Sequence, residues 1–220
     1  MRQSEQESTR PLRSDAARNR ERILAAARGV FAERGLDATL DDVAHHAGLG
    51  VGTVYRRFPS KDDLVEALFE QAINEVVELA EQAAGMSDSW QGFVSFLERA
   101  TEMQVENVGL RDIILHSGYG RDRVSLARAK IIPPVTRLVE RAQVDGYLRK
   151  DFLPTDIPVI ELMVSSVALY TSSVAQDLWR RYLGIVLDGL QVNRVEPQEL
   201  PPGPSHEVIE VALRNKLRKI

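Results

Sequence analysis

AHHAGLGVGTVYRRF, residues 44–58, sets three glycines and two alanines ahead of a tyrosine, two adjacent arginines and a phenylalanine. A helix from Leu40 to Ala47 and a second from Val51 to Phe58, joined through Gly48-Leu49-Gly50, account for this pattern. Val43 and Ala47 then share one face of the first helix, Val54 and Phe58 share one face of the second, and Leu49 plugs the gap between them. Ala44 is small where the second helix crosses the first, and Gly48 supplies the positive φ that a sharp turn requires. Two short helices meeting steeply across such a turn form a helix-turn-helix. The preceding helix, residues 15–34, braces the pair through Phe31.

With Val54 inward, a helical advance of about 100° per residue points Gly52 and Arg56 away from the core, with Thr53 and Tyr55 on their flanks. That face carries bare backbone, a hydroxyl, a phenol and a guanidinium, and the helix contributes no acid to it. Such a face suits the major groove of DNA, which admits an α-helix. Gly52 lets the backbone approach the bases, Arg56 reaches a guanine edge or a phosphate, and Thr53 and Tyr55 donate to phosphates. Lys61 opens the next helix, where free N–H groups already favour an anion. Two solvated arginines on a structural corner are the alternative. The small-residue turn, the helix caps on either side and the acid-free face together favour DNA.

The rest of the chain reads as helix, so the fold class is all-α. Thr39-x-x-Asp42 and Ser60-x-x-Asp63 fit capping boxes and mark two helix starts. Ile23, Leu24, Ala27, Val30 and Phe31 recur at helical spacing between Asp15 and Arg34, and Gly35 follows as a terminator. A long helix runs from Lys61 to about Ala84, burying Leu64, Leu68, Ile73, Val76 and Val77. Further helices are expected at 89–106, 110–116, 121–146, 155–174, 176–191 and 205–219. Pro133-Pro134 should kink or restart the third of these. Four regions result: a flexible arm (1–14), a three-helix DNA-binding domain (15–62), a larger helical effector-binding and dimerisation domain (63–195), and a proline-rich linker with a final basic helix (196–220).

Composition narrows the function classes. The chain has 220 residues, 44% hydrophobic and 27% charged, enough for a small domain joined to a larger one. It has no cysteine, hence no disulfide framework or thiolate zinc site. It shows no membrane-length apolar run and no signal peptide, so a cytoplasmic, nucleoid-associated protein is expected. Net charge is −4, yet residues 1–61 carry 11 basic against 8 acidic groups and the remainder 17 against 24. A basic head on an acidic body suggests that only the head meets a polyanion. His45 and His46 diverge around a helix and cannot chelate together, so no metal and no cofactor is expected.

RERILAAARGVFAERG (20–35) and TLDDVAHHAGLGVGTVYRRFPSKDDLVEAL (39–68) resemble the N-terminal domain of the TetR family of bacterial transcriptional regulators. The resemblance covers roughly residues 18–70 and includes the Thr53-x-Tyr55-x-x-Phe58-x-x-Lys61 run. It implies homodimers that insert paired recognition helices into successive major grooves of a palindromic operator, and a repressor released by a small-molecule effector. It also implies phosphate contacts from Thr39, Thr53, Tyr55 and Lys61, and base contacts from Val51, Gly52, Tyr55 and Arg57; Gly50, at the head of the helix, joins the candidates. Helical geometry prefers Arg56 to Arg57, and both stay in view. Gly52 departs from the larger side chains common at its position, which shifts weight to Arg10 and Arg13 of the arm as minor-groove candidates.

The resemblance further implies a C-terminal domain that holds its effector in a helix-lined cavity and dimerises through its last two helices. Cavity candidates are Phe93, Phe96, Met103, His116, Tyr119, Met163 and Tyr170, suited to a hydrophobic or aromatic effector. Dimer candidates are Leu162, Val164, Val167 and Ala168 on one helix and Trp179, Tyr182, Leu183, Val186 and Leu190 on the next. The rival readings are an effector-insensitive regulator or activator of the same fold, and a helical enzyme or adaptor with a degenerate helix-turn-helix.

Overall fold

The computed structural model describes residues 9–106, 129–171 and 173–192, with the backbone alone for 9–14 and 36. Among these residues the regular elements are helices: α1 (Thr9–Arg34), α2 (Leu40–Ala47), α3 (Val51–Arg57), α4 (Lys61–Ala84), α5 (Ser89–Glu106), α6 (Ile132–Val144), α7 (Ile157–Thr171) and α8 (Leu178–Leu190), with 3-10 turns at Gly35–Asp37 and Pro154–Asp156. The chain divides into two units, the first running through Phe69 and the second taking the described residues from Glu70 onward. The division falls inside α4, later than the expected boundary at residue 62. Leu64, Val65 and Leu68 are the reason, since all three are buried in the first unit's core.

In the first unit, Ile23, Leu24, Ala27 and Phe31 of α1 are fully buried, joined by Val43, Ala44 and Val54 from the small helices. α1 begins at Thr9, so residues 9–14, expected in a flexible arm, are helical. Pro11 is tolerated there because first-turn N–H groups have no intrahelical acceptor to lose. Gly35 ends α1 at φ 56° as expected. Both capping boxes form. Asp42 N–H donates to the Thr39 hydroxyl at 3.1 Å and Asp63 N–H to that of Ser60 at 3.2 Å, while Thr39 and Ser60 N–H each donate back to a carboxylate at 3.0 Å.

The second unit buries Ala80 and Ala83 of α4 with Phe93, Phe96, Leu97 and Ala100 of α5, Leu138 and Val139 of α6, Val164 of α7 and Leu183 of α8. Phe93 meets Phe152 edge-on, with ring centroids 5.6 Å apart. α6 starts at Ile132 with Pro133 and Pro134 in its first turn, so the two prolines start a helix here. It ends at Val144, and Gly146 then turns at φ 81°. Arg149 N–H donates to Leu190 at 3.0 Å and Val192 N–H to Tyr147 at 3.0 Å, which ties the end of α8 to the turn after α6. The helices expected at 110–116 and 205–219, the start of that at 121–146 and the linker at 196–204 lie outside the described residues.

Where α4 meets α5, the two backbones come close. A Cβ added at Gly92 would stand 2.4 Å from the Ala83 carbonyl oxygen, an atom of the backbone with no rotamer to move. Gly92→Ala should therefore destabilise by about 3 kcal/mol, the upper end of ordinary overpacking. Urea unfolding should show a lower midpoint at an unchanged slope.

Candidate nucleic-acid interface

Gly48 closes α2 in the left-handed conformation, φ 62° and ψ 38°. The Arg22 guanidinium of α1 donates to the Ala47 carbonyl at 2.9 Å, satisfying an otherwise free acceptor at the negative end of α2. α3 then leaves Gly50 in extended conformation and buries Val54 alone of its residues. What remains outward is Val51 and Tyr55, 44% and 45% exposed, with Gly52, Arg56 and Arg57 also exposed and Thr53 half-buried. A Cβ at Gly52 would meet nothing within 4 Å, so open space lies over the α3 backbone there.

The local partners sort the candidates. Arg56 donates to the Thr53 hydroxyl at 3.2 Å, folding back along α3. Arg57 has no hydrogen bond or ion pair among the described residues. Lys61 places its ammonium 5.7 Å from the centre of the Phe31 ring at the head of α4. Thr39 uses both its N–H and its hydroxyl on Asp42, whose carboxyl those bonds and the nearby Arg34 hold below the usual carboxylate range. Its firm role is thus to cap α2, and a phosphate would have to compete with Asp42 for its donors.

One expectation about this face changes. α3 carries no acid, but α2 brings Asp41 beside Tyr55, where its charge raises the phenol's pKa, with desolvation and a hydrogen bond adding to the effect. Helical periodicity within α3 could not show this, because the acid comes from the other helix. Arg10 and Arg13 fall in the first turns of α1, and their side chains lie outside the described residues.

In the second unit the candidates separate. Phe93 and Phe96 are core side chains, fully buried, and Met103 is half-buried. Met163 and Tyr170, expected in a cavity wall, stand on the surface, 52% and 84% exposed. His116 and Tyr119 lie outside the described residues. Of the expected interface residues, Val164, Ala168, Trp179, Leu183 and Leu190 turn inward to the unit's own core. Leu162, Val167 and Val186 are half-buried, and Tyr182 is exposed. The outer apolar strip is instead Met163 and Tyr170 on α7 and Tyr182 and Ile185 on α8. The spacing of Trp179, Leu183, Leu187 and Leu190 marks the inner face of α8 and already puts Ile185 on the far side. Among the described residues no group of acidic, histidine or cysteine side chains could hold a metal ion, and no helix is long and apolar enough to cross a membrane.

The profile of bacterial regulatory proteins of the tetR family matches residues 23–68, and that of the C-terminal domain of SbtR-like transcriptional regulators matches residues 88–192. A TetR transcription regulatory protein of known crystal structure from Mycobacterium vanbaalenii is similar over 83% of this chain and 100% of its own, with 30% identity and a TM-score of 0.66. The Bacillus subtilis regulator YfiR is 30% identical over 92 residues, 41% of this chain and 42% of that protein. The Brucella suis transcriptional repressor BepR is 38% identical over 76 residues, 34% of this chain and 36% of that protein. The chain thus spans less than half the length of each of these two curated relatives.

Two expected outcomes follow from the geometry. Gly52→Ala adds a methyl group in open space inside a helix and should stabilise by about 0.5–1 kcal/mol in a urea melt. The second concerns Glu161 of α7, whose carboxyl burial pushes up to about 7 against the opposing hydrogen bond from Gln104. The folded chain then holds this proton more tightly than the unfolded chain, where the group titrates near 4.5. Stability fully present below that lower value is lost as pH rises through about 7. The melting temperature should fall between about pH 5 and pH 8, and Glu161→Gln should flatten that dependence.

Proposed function

Because the chain belongs to the TetR family of bacterial regulatory proteins, we propose that it is a homodimeric repressor that a small-molecule effector lifts from a palindromic operator. It is a DNA-binding transcriptional regulator. The observation that carries the reading is the outward face of α3, on which bare backbone at Gly52, a phenol and two guanidinium groups project beyond one buried anchor, Val54. Among the matched relatives, BepR is named a transcriptional repressor, which supports the same sign of regulation here.

Arg57 is the base reader in this proposal and Arg56 the phosphate contact. Arg57 has no competing partner among the described residues, whereas Arg56 is held along the helix by Thr53. Tyr55 and Thr53 add phosphate contacts, and Lys61 sets a cation at the head of α4. Arg57→Ala should cost about 1–3 kcal/mol and relax preference at one base pair of each half-site. Lys61→Ala should weaken binding to all sequences alike and make the salt slope shallower by about one unit. Fluorescence anisotropy with operator and scrambled duplexes across a salt series reads both. Base preference altered by Lys61→Ala with the salt slope unchanged would remove Lys61 from the phosphate contacts.

Dimerisation runs through the outer strip of α7 and α8. Met163 and Tyr170 stand two turns apart on α7, and Tyr182 and Ile185 adjoin on α8, with half-buried Leu162, Val167 and Val186 at the border. A two-fold pairing of such strips buries the same patch on both protomers. Tyr182→Asp with Ile185→Asp should yield a monomer by sedimentation, with operator affinity lost along with the paired half-sites. A dimer surviving both changes would move the interface elsewhere. Coupling to DNA runs through α4, one continuous helix that starts in the first unit and ends in the second.

A further inference from the structure

Along α5 the inward positions run Phe93, Phe96, Leu97 and Ala100, then change character. Thr101 is fully buried, and Gln104, one turn on, is half-buried. Across from them Glu161 stands on the inner side of α7, one turn beyond buried Ile157 and one turn short of buried Val164 and Ser165. The Gln104 side-chain amide donates to the Glu161 carboxylate. Among the described residues that amide is the carboxylate's one partner, and the Thr101 hydroxyl has none. Among the described residues, Arg180 of α8 donates at 2.6 Å to Glu102, on the exposed side of α5. Ser165 spends its hydroxyl on the Leu162 carbonyl at 3.3 Å.

The Glu161 carboxylate, half-buried on α7 and served by one amide among the described residues, has acceptor capacity left over. A buried hydroxyl without a partner forfeits its own hydrogen bonds as well. Apolar residues of similar shape at both positions would be more stable in the free protein. The arrangement is complete once a cation arrives. An ammonium group carries three donors, and a half-buried carboxylate meets it more strongly than a fully hydrated one does. An anion would be repelled by the ionised form, whereas a cation favours that form.

We propose that Glu161, Gln104 and Thr101 form the recognition point for a cationic effector, a protonated amine or amidinium on an apolar body. Glu161 supplies the counter-charge and Thr101 Oγ1 accepts one N–H, while Gln104 holds the carboxylate in place. The proposal rests on the reading that the second unit binds an effector, and it gives that effector's charge.

The test uses the full-length chain and three matched probes: phenethylamine, phenethyl alcohol and hydrocinnamate, titrated calorimetrically and against operator-bound protein. The wild type should prefer the amine to the alcohol by about tenfold or more, a modest return for a buried ion pair. Glu161→Gln should erase that preference while still binding the alcohol, which shows that the variant is folded. Thr101→Val should melt higher than wild type, since it removes an unsatisfied hydroxyl, yet bind the amine more weakly. A role in packing alone would not pair those two changes. If amine and alcohol bind equally, or if the preference survives in Glu161→Gln, the effector reading stands and the assignment to Glu161 falls. If none of the three binds or releases operator DNA at millimolar concentration, both fall.

Discussion

Gly48 carries the chain from α2 into α3 through a left-handed turn, φ 62° and ψ 38°, and the aim of every outward side chain on α3 follows from it. Its N–H donates to His45 at 3.1 Å and the next, at Leu49, to Ala44 at 3.0 Å, so the turn closes on α2 itself. Space is not what demands glycine: an added Cβ would approach only the Arg22 guanidinium, at 3.7 Å. The backbone conformation demands it, because an L side chain at this φ costs about 1–2 kcal/mol. Arg22 then fixes the turn from outside, bonding the last α2 carbonyl and linking α1 to the hinge. With the hinge set, Val54 alone anchors α3, and its remaining positions are free for the ligand.

That economy has an electrostatic consequence. The small helices begin at capping boxes, and Asp41 and Asp42 stand in the first turn of α2, where the helix dipole favours them. Asp42 is absorbed by Thr39 and Arg34, the latter at 2.5 Å. Asp41 reaches Tyr55 instead, so the surface offered to a polyanion includes one carboxylate. The arginines outweigh it in charge, and the phenol beside it is held in its neutral, hydrogen-bonding form. Tyr55, Arg56 and Arg57 all stand on α3, whereas Asp41 reaches the phenol from α2, a pairing that needs the hinge between the two helices.

The second unit shows a different balance. α6 clamps the end of α4, with Arg141 donating to the Ala84 carbonyl at 2.5 Å and to that of Ser87 at 3.0 Å. The tight α4–α5 junction at Gly92 adds to that rigidity. Within such a frame, a half-buried carboxylate and a buried hydroxyl without a partner are costly, and their placement on neighbouring helices sets them apart from the apolar core beside them. Stability sacrificed in the free protein becomes binding energy when a ligand satisfies those groups.

What the sequence by itself determined is the local part: the helix class, the two capping boxes, the hinge at Gly48 and the outward set on α3. Each depends on neighbours within about one helical turn, where side-chain chemistry and backbone period act directly. The start of α1 is not legible in the sequence, because polar residues such as Arg10 and Arg13 are equally at home in an arm and in a first turn. The inner and outer faces of α7 and α8 were only half legible, since α7 is apolar nearly all round and Met163 and Tyr170 look like core residues in isolation. Only the tertiary structure decided that Asp41 meets Tyr55, that Gln104 meets Glu161, and which apolar strip stays uncovered. Those are contacts between helices, set by how close two backbones approach and at what rotation, and no spacing along one helix encodes them.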